Sequence, residues 1–366
     1  MKNLNLLATP LKCLDKVPHG DTLNYLLKGI PSKYIATLRT EMVRTLIRKK
    51  CFVNDRLGGR YYLIVIDGTW MLNFNKRHCK GCLKRAINED KYIYYHPVLE
   101  AKLITVNGMA VSIATEFIEN AGSSSKQDCE LKAFYRLAKR LKADFPQMKI
   151  CIAADALYAA KPVFDICEKY HWKYIITFKE GSMPATYAEF ENLKEIEPGN
   201  KENFTTAKTV QNYQWITEIN YEGHSLDILE CVEANRKNNK ATKFVWLTNL
   251  PIKSANILQI AQGGRARWKI ENEGFNMQKN GGYGLEHAYS LNTEAMKNFY
   301  FLLQIAHIIS QLMEKGNLLK DSLLKTYGSI KNFSLALWRA FVSKSLNPDE
   351  IDELLNTRIQ IRFNTS

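Results

Sequence analysis

Three carboxylates stand where phosphodiester chemistry could use them. Asp67 directly follows the apolar run YYLIVI (61–66), and Asp155 directly follows KICIAA (149–154). Glu271 sits in RARWKIENEGFNMQK, four residues after Arg267 and eight before Lys279. Cutting a phosphodiester needs an activated water or hydroxyl and a stabilised leaving oxygen. Two Mg²⁺ or Mn²⁺ ions about 3.5–4 Å apart provide both. Such hard ions take oxygen ligands, so three carboxylates with water and the scissile phosphate are a sufficient set. Each residue also has a plainer use. Asp67-Gly68 is turn chemistry, Asp155 can cap a following helix, and Arg267 with Glu271 is an ordinary i, i+4 ion pair. Singly, the plain use is the commoner one; three together in one basic chain favour the shared chemistry.

A second group of residues has metal-ligand character. Cys79 and Cys82 form a CxxC preceded by His78 in the basic segment NKRHCKGCLKRAINEDK. This is half of a zinc site, which His96 or Cys129 could complete. The full spacing of a known finger is absent, and buried, unligated cysteines are the alternative. Trp70, Trp172, Trp246 and Trp268 read as core aromatics, with Trp268 also placed to stack on a base.

The elements that must position these groups are legible as periodicities. Residues 21–50 carry apolar positions at helical spacing between basic ones. The run 61–66 reads as a buried strand ending at the Asp67-Gly68 turn, and 98–106 with 109–117 as a hairpin around Asn107-Gly108. A helix from 127 to 141, a strand at 149–154, a helix at 158–170 and a strand at 173–178 follow. This alternation argues an α/β sheet with parallel members. Residues 180–242 break it with alternating strands around Glu222-Gly223 and read as a β-rich insertion. FVWL (244–247) is one more strand, and the remainder is helical to about 355. If 265–279 is a regular helix, Arg267, Glu271 and Gln278 or Lys279 share a face, and Glu273 points elsewhere. The expected organisation is a helical N-terminal region (1–55), the first part of a catalytic core (56–179), the insertion (180–242), and the rest of the core with C-terminal helices (243–366).

Composition narrows the function classes. The chain has 366 residues, 46% of them hydrophobic, a formal net charge of +14 and eight scattered cysteines. A basic balance this large selects polyanionic partners. A membrane partner is disfavoured: no run of about 18 apolar residues occurs, nor any signal-peptide pattern or basic amphipathic anchor. The cysteine density is not that of a disulfide scaffold and suits a reducing compartment. The stretch ahead of Asp67 is short for a dedicated nucleic-acid-binding domain.

The strings VIDGT (65–69), AADALYA (153–159) and RWKIENEGFN (267–276) resemble the three signature regions of the DDE transposases of bacterial insertion sequences. EFIEN (116–120) and KQDCELKAF (126–134) add to the resemblance, which runs from about residue 20 to the C-terminus. It implies a ribonuclease-H-like mixed α/β sheet flanked by helices. The first Asp would lie on the first strand, the second after the fourth, and the Glu on a late helix behind a β-rich insertion. It implies Asp67, Asp155 and Glu271 as ligands of two Mg²⁺ or Mn²⁺ ions, and Arg267 and Lys279 as phosphate-gripping cations. It further implies cleavage at element ends, joining of the 3′-hydroxyl to target DNA, double-stranded DNA as partner, a homodimer on DNA and a bacterial cytoplasmic location at the nucleoid. The family's late-helix pattern also has a Tyr and a Lys where this chain has Gly264 and Gln278. A nuclease without strand joining, or an inactive DNA-binding descendant, would share these residues.

Overall fold

A computed structural model describes residues 20–357 apart from 78, 90, 121–126, 198, 239, 288, 317–324 and 345–346. The chain divides into two compact units, Phe52–Phe275 and the combination of Met1–Cys51 with Asn276–Ser366.

The unit Phe52–Phe275 is built on one ten-stranded mixed sheet. Its strands are β1 (Tyr62–Phe74), β2 (Leu83–Ala86), β3 (Tyr92–Ile104), β4 (Ala110–Phe117), β5 (Ile150–Ala154), β6 (Lys173–Thr177), β7 (Lys201–Thr205), β8 (Thr209–Tyr221), β9 (His224–Asn235) and β10 (Ala241–Thr248). The order is β2-β3-β1-β5-β6-β10-β9-β8-β7, with β4 beside β2 on the outer edge of β3. β1, β5 and β6 run parallel, and the other pairings are antiparallel. This is an α/β fold of the ribonuclease-H-like kind, a mixed sheet flanked by helices. β5, all five residues buried, reads as a continuous apolar run because it lies inside the parallel part of the sheet. The insertion's strands β7–β9 extend the same sheet through β10. Glu222 (φ 48°) and Gly223 (φ 88°) join Tyr221 to His224, so both central residues of this two-residue loop take the left-handed conformation a tight hairpin requires.

The helices α3 (Glu130–Asp144), α4 (Lys161–Lys169), α5 (Pro184–Ile196) and α6 (Ile257–Arg265) pack on the sheet; α3 lies against β3 and β4, and α6 against β5, β6 and β9. Gly263 and Gly264 let α6 approach closely. A Cβ on Gly264 would lie 2.3 Å from Trp246 Nε1, and one on Gly263 2.6 Å from Ile175 Cδ1. In the other unit α1 (Gly20–Gly29) and α2 (Lys33–Arg48) pack on the long helix α8 (Thr293–Lys315), which follows the short α7 (Met277–Asn280). Arg39 is buried over the Phe301 ring, and Asn298 Nδ2 donates to the carbonyls of Leu27 and Ile30, at 2.8 and 2.6 Å. No helix among the described residues is long and apolar enough to cross a membrane.

Two readings of the strands change. β1 does not stop at Asp67-Gly68. It runs on to Phe74, because β3 supplies a ladder there, pairing Asp67 with Glu100 and Gly68 with Leu99. The basic segment beyond it holds the short strand β2, so Asp155 follows the fifth strand of the chain, not the fourth.

Candidate active site

The register of β1 and β5 sets the site. Val65 pairs with Ala153 across the parallel ladder. Two residues further along each strand stand Asp67 and Asp155, side by side at the carboxyl end of the parallel pairing, where sites form in open α/β sheets. Asp67 stays in β1; its Oδ1 accepts from the Gly68 amide at 2.9 Å. Asp155 leaves β5 and accepts from the Leu157 amide at 2.9 Å, capping the short turn Ala156–Tyr158. It therefore does the capping job and still lies at the site.

A carboxylate not chosen from the sequence joins them. Glu130, in the first turn of α3, reaches under Gly68: a Cβ there would lie 2.5 Å from Glu130 Oε1. Gly68 thus makes room for a second carboxylate rather than making a turn. Tyr158 Oη donates to Glu130 Oε2 at 3.4 Å. Burial pushes the Asp67 carboxyl up to about 6; Arg267 and the Gly68 amide oppose this, while Asp155 and Glu130 add to it. Burial and Asp155 also raise Glu130, against the Tyr158 hydroxyl. Glu130 was visible in KQDCELKAF only as part of a string; its signal was the short polar stretch placing a helix start beside the site.

Arg267 Nη1 lies 3.3 Å from Asp67 Oδ2, and its guanidinium rests 4.3 Å from the centre of the Trp268 ring. Trp268 is 56% exposed, so the expectation of a core aromatic fails for it; Trp172 and Trp246 are buried. A cleft of about 490 Å³ opens beside Asp155, lined by Lys179, Lys243, Arg265, Arg267 and Trp268 among others. Cations and an exposed aromatic around a carboxylate suit a phosphate backbone and a base.

Glu271 lies on a π-helix, Ile270–Asn276, not on a continuation of α6. A turn at Ala266 and Arg267 separates the two. The regular-helix face expected for Arg267, Glu271 and Lys279 therefore does not exist. Residue spacing changes across the turn and again in the wider π-turn, a feature often found at functional sites. Ile270, Gly274 and Phe275 are buried and anchor the π-helix, Phe275 over the Lys102 ammonium at 5.6 Å. Lys102 is itself buried 3.5 Å from Glu100, which also accepts from the hydroxyls of Ser112 and Thr115. Lys269 Nζ donates to the carbonyls of Thr105 and Val106, at 3.1 and 3.3 Å. Glu273 packs toward Gly108 of the β3–β4 loop.

The structure thus brings together Asp67, Asp155, Glu130 and Arg267. Glu271 is half-buried on the neighbouring π-helix, and the charges bearing most on Asp67 do not include it. Among the described residues, neither Glu130 nor Glu271 joins Asp67 and Asp155 in a group whose three ligand atoms lie within 4.8 Å of one another; Cys79, Cys82 and His96 form such a group. At the two positions that depart from the resembled pattern, Gly264 and Gln278, the surroundings suit the residues present. A tyrosine at 264 would collide with Trp246, and Gln278 is fully buried, hydrogen-bonded to Gln304 and His307. Lys279 pairs with Glu286 at 3.2 Å. His78 lies outside the described residues, and Cys129, exposed before α3, is not part of the cysteine–histidine cluster.

A family model described as the transposase DDE domain matches residues 109–309, more than half of the chain. The chain belongs to this transposase family. Asp155 and Glu271 fall within the matched residues and Asp67 ahead of them. No curated protein matches the chain. The transposase therefore acts in transposition, a DNA recombination reaction, and its family works on DNA with divalent metal ions. The donor set fits such an ion. Asp67 and Asp155 are hard oxygen donors at the end of the parallel ladder, and the half-buried Asp67, raised to about 6, is only partly compensated by Arg267.

Proposed function

We propose that the transposase cuts DNA at the ends of its own element and joins the freed 3′-hydroxyls to target DNA, with Asp67, Asp155 and Glu271 as the catalytic carboxylates. The observation that carries this is the side-by-side placement of Asp67 and Asp155 at the end of the parallel β1–β5 ladder, facing Arg267 across 3.3 Å. Two Mg²⁺ or Mn²⁺ ions would be held by Asp67 and Asp155, with Glu271 completing the second position; when bound they activate the attacking oxygen and stabilise the leaving one. Glu130, below Gly68, adds a third negative charge beside Asp67 and Asp155, its own carboxyl held by the Tyr158 hydroxyl. Arg267 releases Asp67 to grip a phosphate oxygen of the scissile strand, and Trp268 offers its face to an unpaired base. Lys279 serves the backbone as a second cation, and the basic helices α1 and α2 help to hold element ends. Two ends must be cut together, so the working form is a homodimer on DNA, in the bacterial cytoplasm.

The test is cleavage and strand transfer on labelled candidate ends with Mn²⁺. Alanine at Asp67, Asp155 or Glu271 should abolish both reactions and leave binding largely intact, because the basic surface supplies most of the affinity. Glu273→Ala should be mild. A fully active Glu271→Ala protein would remove Glu271 from the set. Cleavage without joining in the unaltered protein would favour a nuclease.

A further inference from the structure

The cluster that converges most tightly lies away from the carboxylates. Cys79 Sγ and Cys82 Sγ are 3.3 Å apart, and each is 3.3 Å from His96 Nε2. An equilateral triangle of this size admits a point about 2.0–2.3 Å from all three atoms, roughly 1 Å out of its plane, which is the ligand distance of zinc. The cysteines come from the knuckle before β2, and His96 comes from β3; both Cys82 and His96 are 2% exposed. All seven described cysteines are free, so no disulfide accounts for the pair.

The surrounding backbone holds this shape. Arg77 donates to the carbonyls of Cys79 and Lys80, at 3.1 Å each. Asn120 Nδ2 donates to the Cys82 carbonyl at 2.8 Å, and the Asn120 amide to the Gly81 carbonyl at 3.1 Å. Gly81 leaves the turn between the cysteines open: a Cβ there would lie 3.9 Å from Cys79 Sγ and 3.7 Å from Glu119 Cβ. Two thiols and one imidazole nitrogen are soft and borderline donors, which favour zinc over the hard ions of the carboxylate site.

We infer that Cys79, Cys82 and His96 supply three ligands of a structural zinc ion that pins the knuckle to β3. The ion fixes a basic edge of the sheet. β2 has only four residues, and Lys76, Arg77, Lys80, Lys84 and Arg85 around it are all exposed. Such a short edge strand has little packing of its own, so a metal clip between knuckle and strand is what orders it.

Elemental analysis of the full chain, expressed with zinc present and dialysed without it, tests this. About one zinc per chain is expected. Cys82→Ser and His96→Asn should lose the metal, and Cys129→Ser and Asp67→Asn should keep it. Should the variants fold poorly, Co²⁺ added to the zinc-stripped unaltered protein should give thiolate-to-cobalt charge-transfer absorption. Zinc-free protein that gives no such band, zinc retained by both ligand variants, or zinc lost from Asp67→Asn would each overturn the assignment.

Discussion

At Gly68 a methyl group would lie 2.5 Å from Glu130 Oε1, a distance no relaxed contact permits. The Glu130 carboxylate is the end of a flexible side chain, so a methyl group here displaces it rather than the backbone, and the substitution reaches the chemistry without replacing a charged residue. Gly68→Ala should push the Glu130 carboxylate away from Asp67 and Asp155. Cleavage should fall about tenfold or more, equal to about 1.4 kcal/mol of transition-state stabilisation. Stability should change by no more than about 1 kcal/mol, since the displaced atoms end a movable side chain at a half-buried position. Cleavage assays beside thermal unfolding would show this; unchanged cleavage would mean that Glu130 has no part in the site. Arg267 has the complementary role. It partly neutralises a half-buried carboxylate whose ionisation desolvation opposes, so Asp67 stays usable as a ligand.

Among the elements, the π-helix Ile270–Asn276 determines where Glu271 stands. Its apolar side is held by Ile270 and Phe275, and its approach to the β3–β4 loop by Lys269, whose ammonium spans the Thr105 and Val106 carbonyls. Lys269→Met keeps the aliphatic stem and removes both hydrogen bonds. The expected cost is about 1 kcal/mol of stability, since the group is only half-buried. Cleavage should fall by more than DNA affinity does, because the element carrying Glu271 loses its outer tether. Parallel measurements of cleavage rate, affinity and unfolding midpoint check this, and equal loss of affinity and rate would assign Lys269 to DNA binding instead.

For the molecule as a whole, the net charge of +14 predicts how it meets DNA. Neutralised phosphates release counterions, so affinity should fall on the order of a thousandfold between about 50 and 200 mM salt when six or more phosphates are engaged. Asp67→Asn should leave that salt slope almost unchanged while ending catalysis, because one half-buried carboxylate paired with Arg267 is a small part of the surface field. Titrations at several salt concentrations read this directly; an affinity flat in salt would contradict an electrostatic interface.

Much of the scaffold beneath the candidate site was legible from local pattern. Short apolar runs ending at aspartates mark strands because buried parallel strands need continuous hydrophobic faces, and Glu222-Gly223 marks a hairpin because only certain residues accept a positive φ. The +14 charge determined the class of partner. What local pattern could not carry depends on partners distant in the chain. β1 continues past Asp67-Gly68 only because β3 lies alongside to accept its hydrogen bonds, and Glu130 reaches the site only because α3 packs on the edge strands and Gly68 leaves space. A helical periodicity gives no warning of a π-turn, so the face shared by Arg267, Glu271 and Lys279 was an inference from the wrong spacing. The sequence left His96 and Cys129 both open as partners of Cys79 and Cys82, and only the pairing of β2 with β3 decides between them by bringing the His96 imidazole to the two sulfurs.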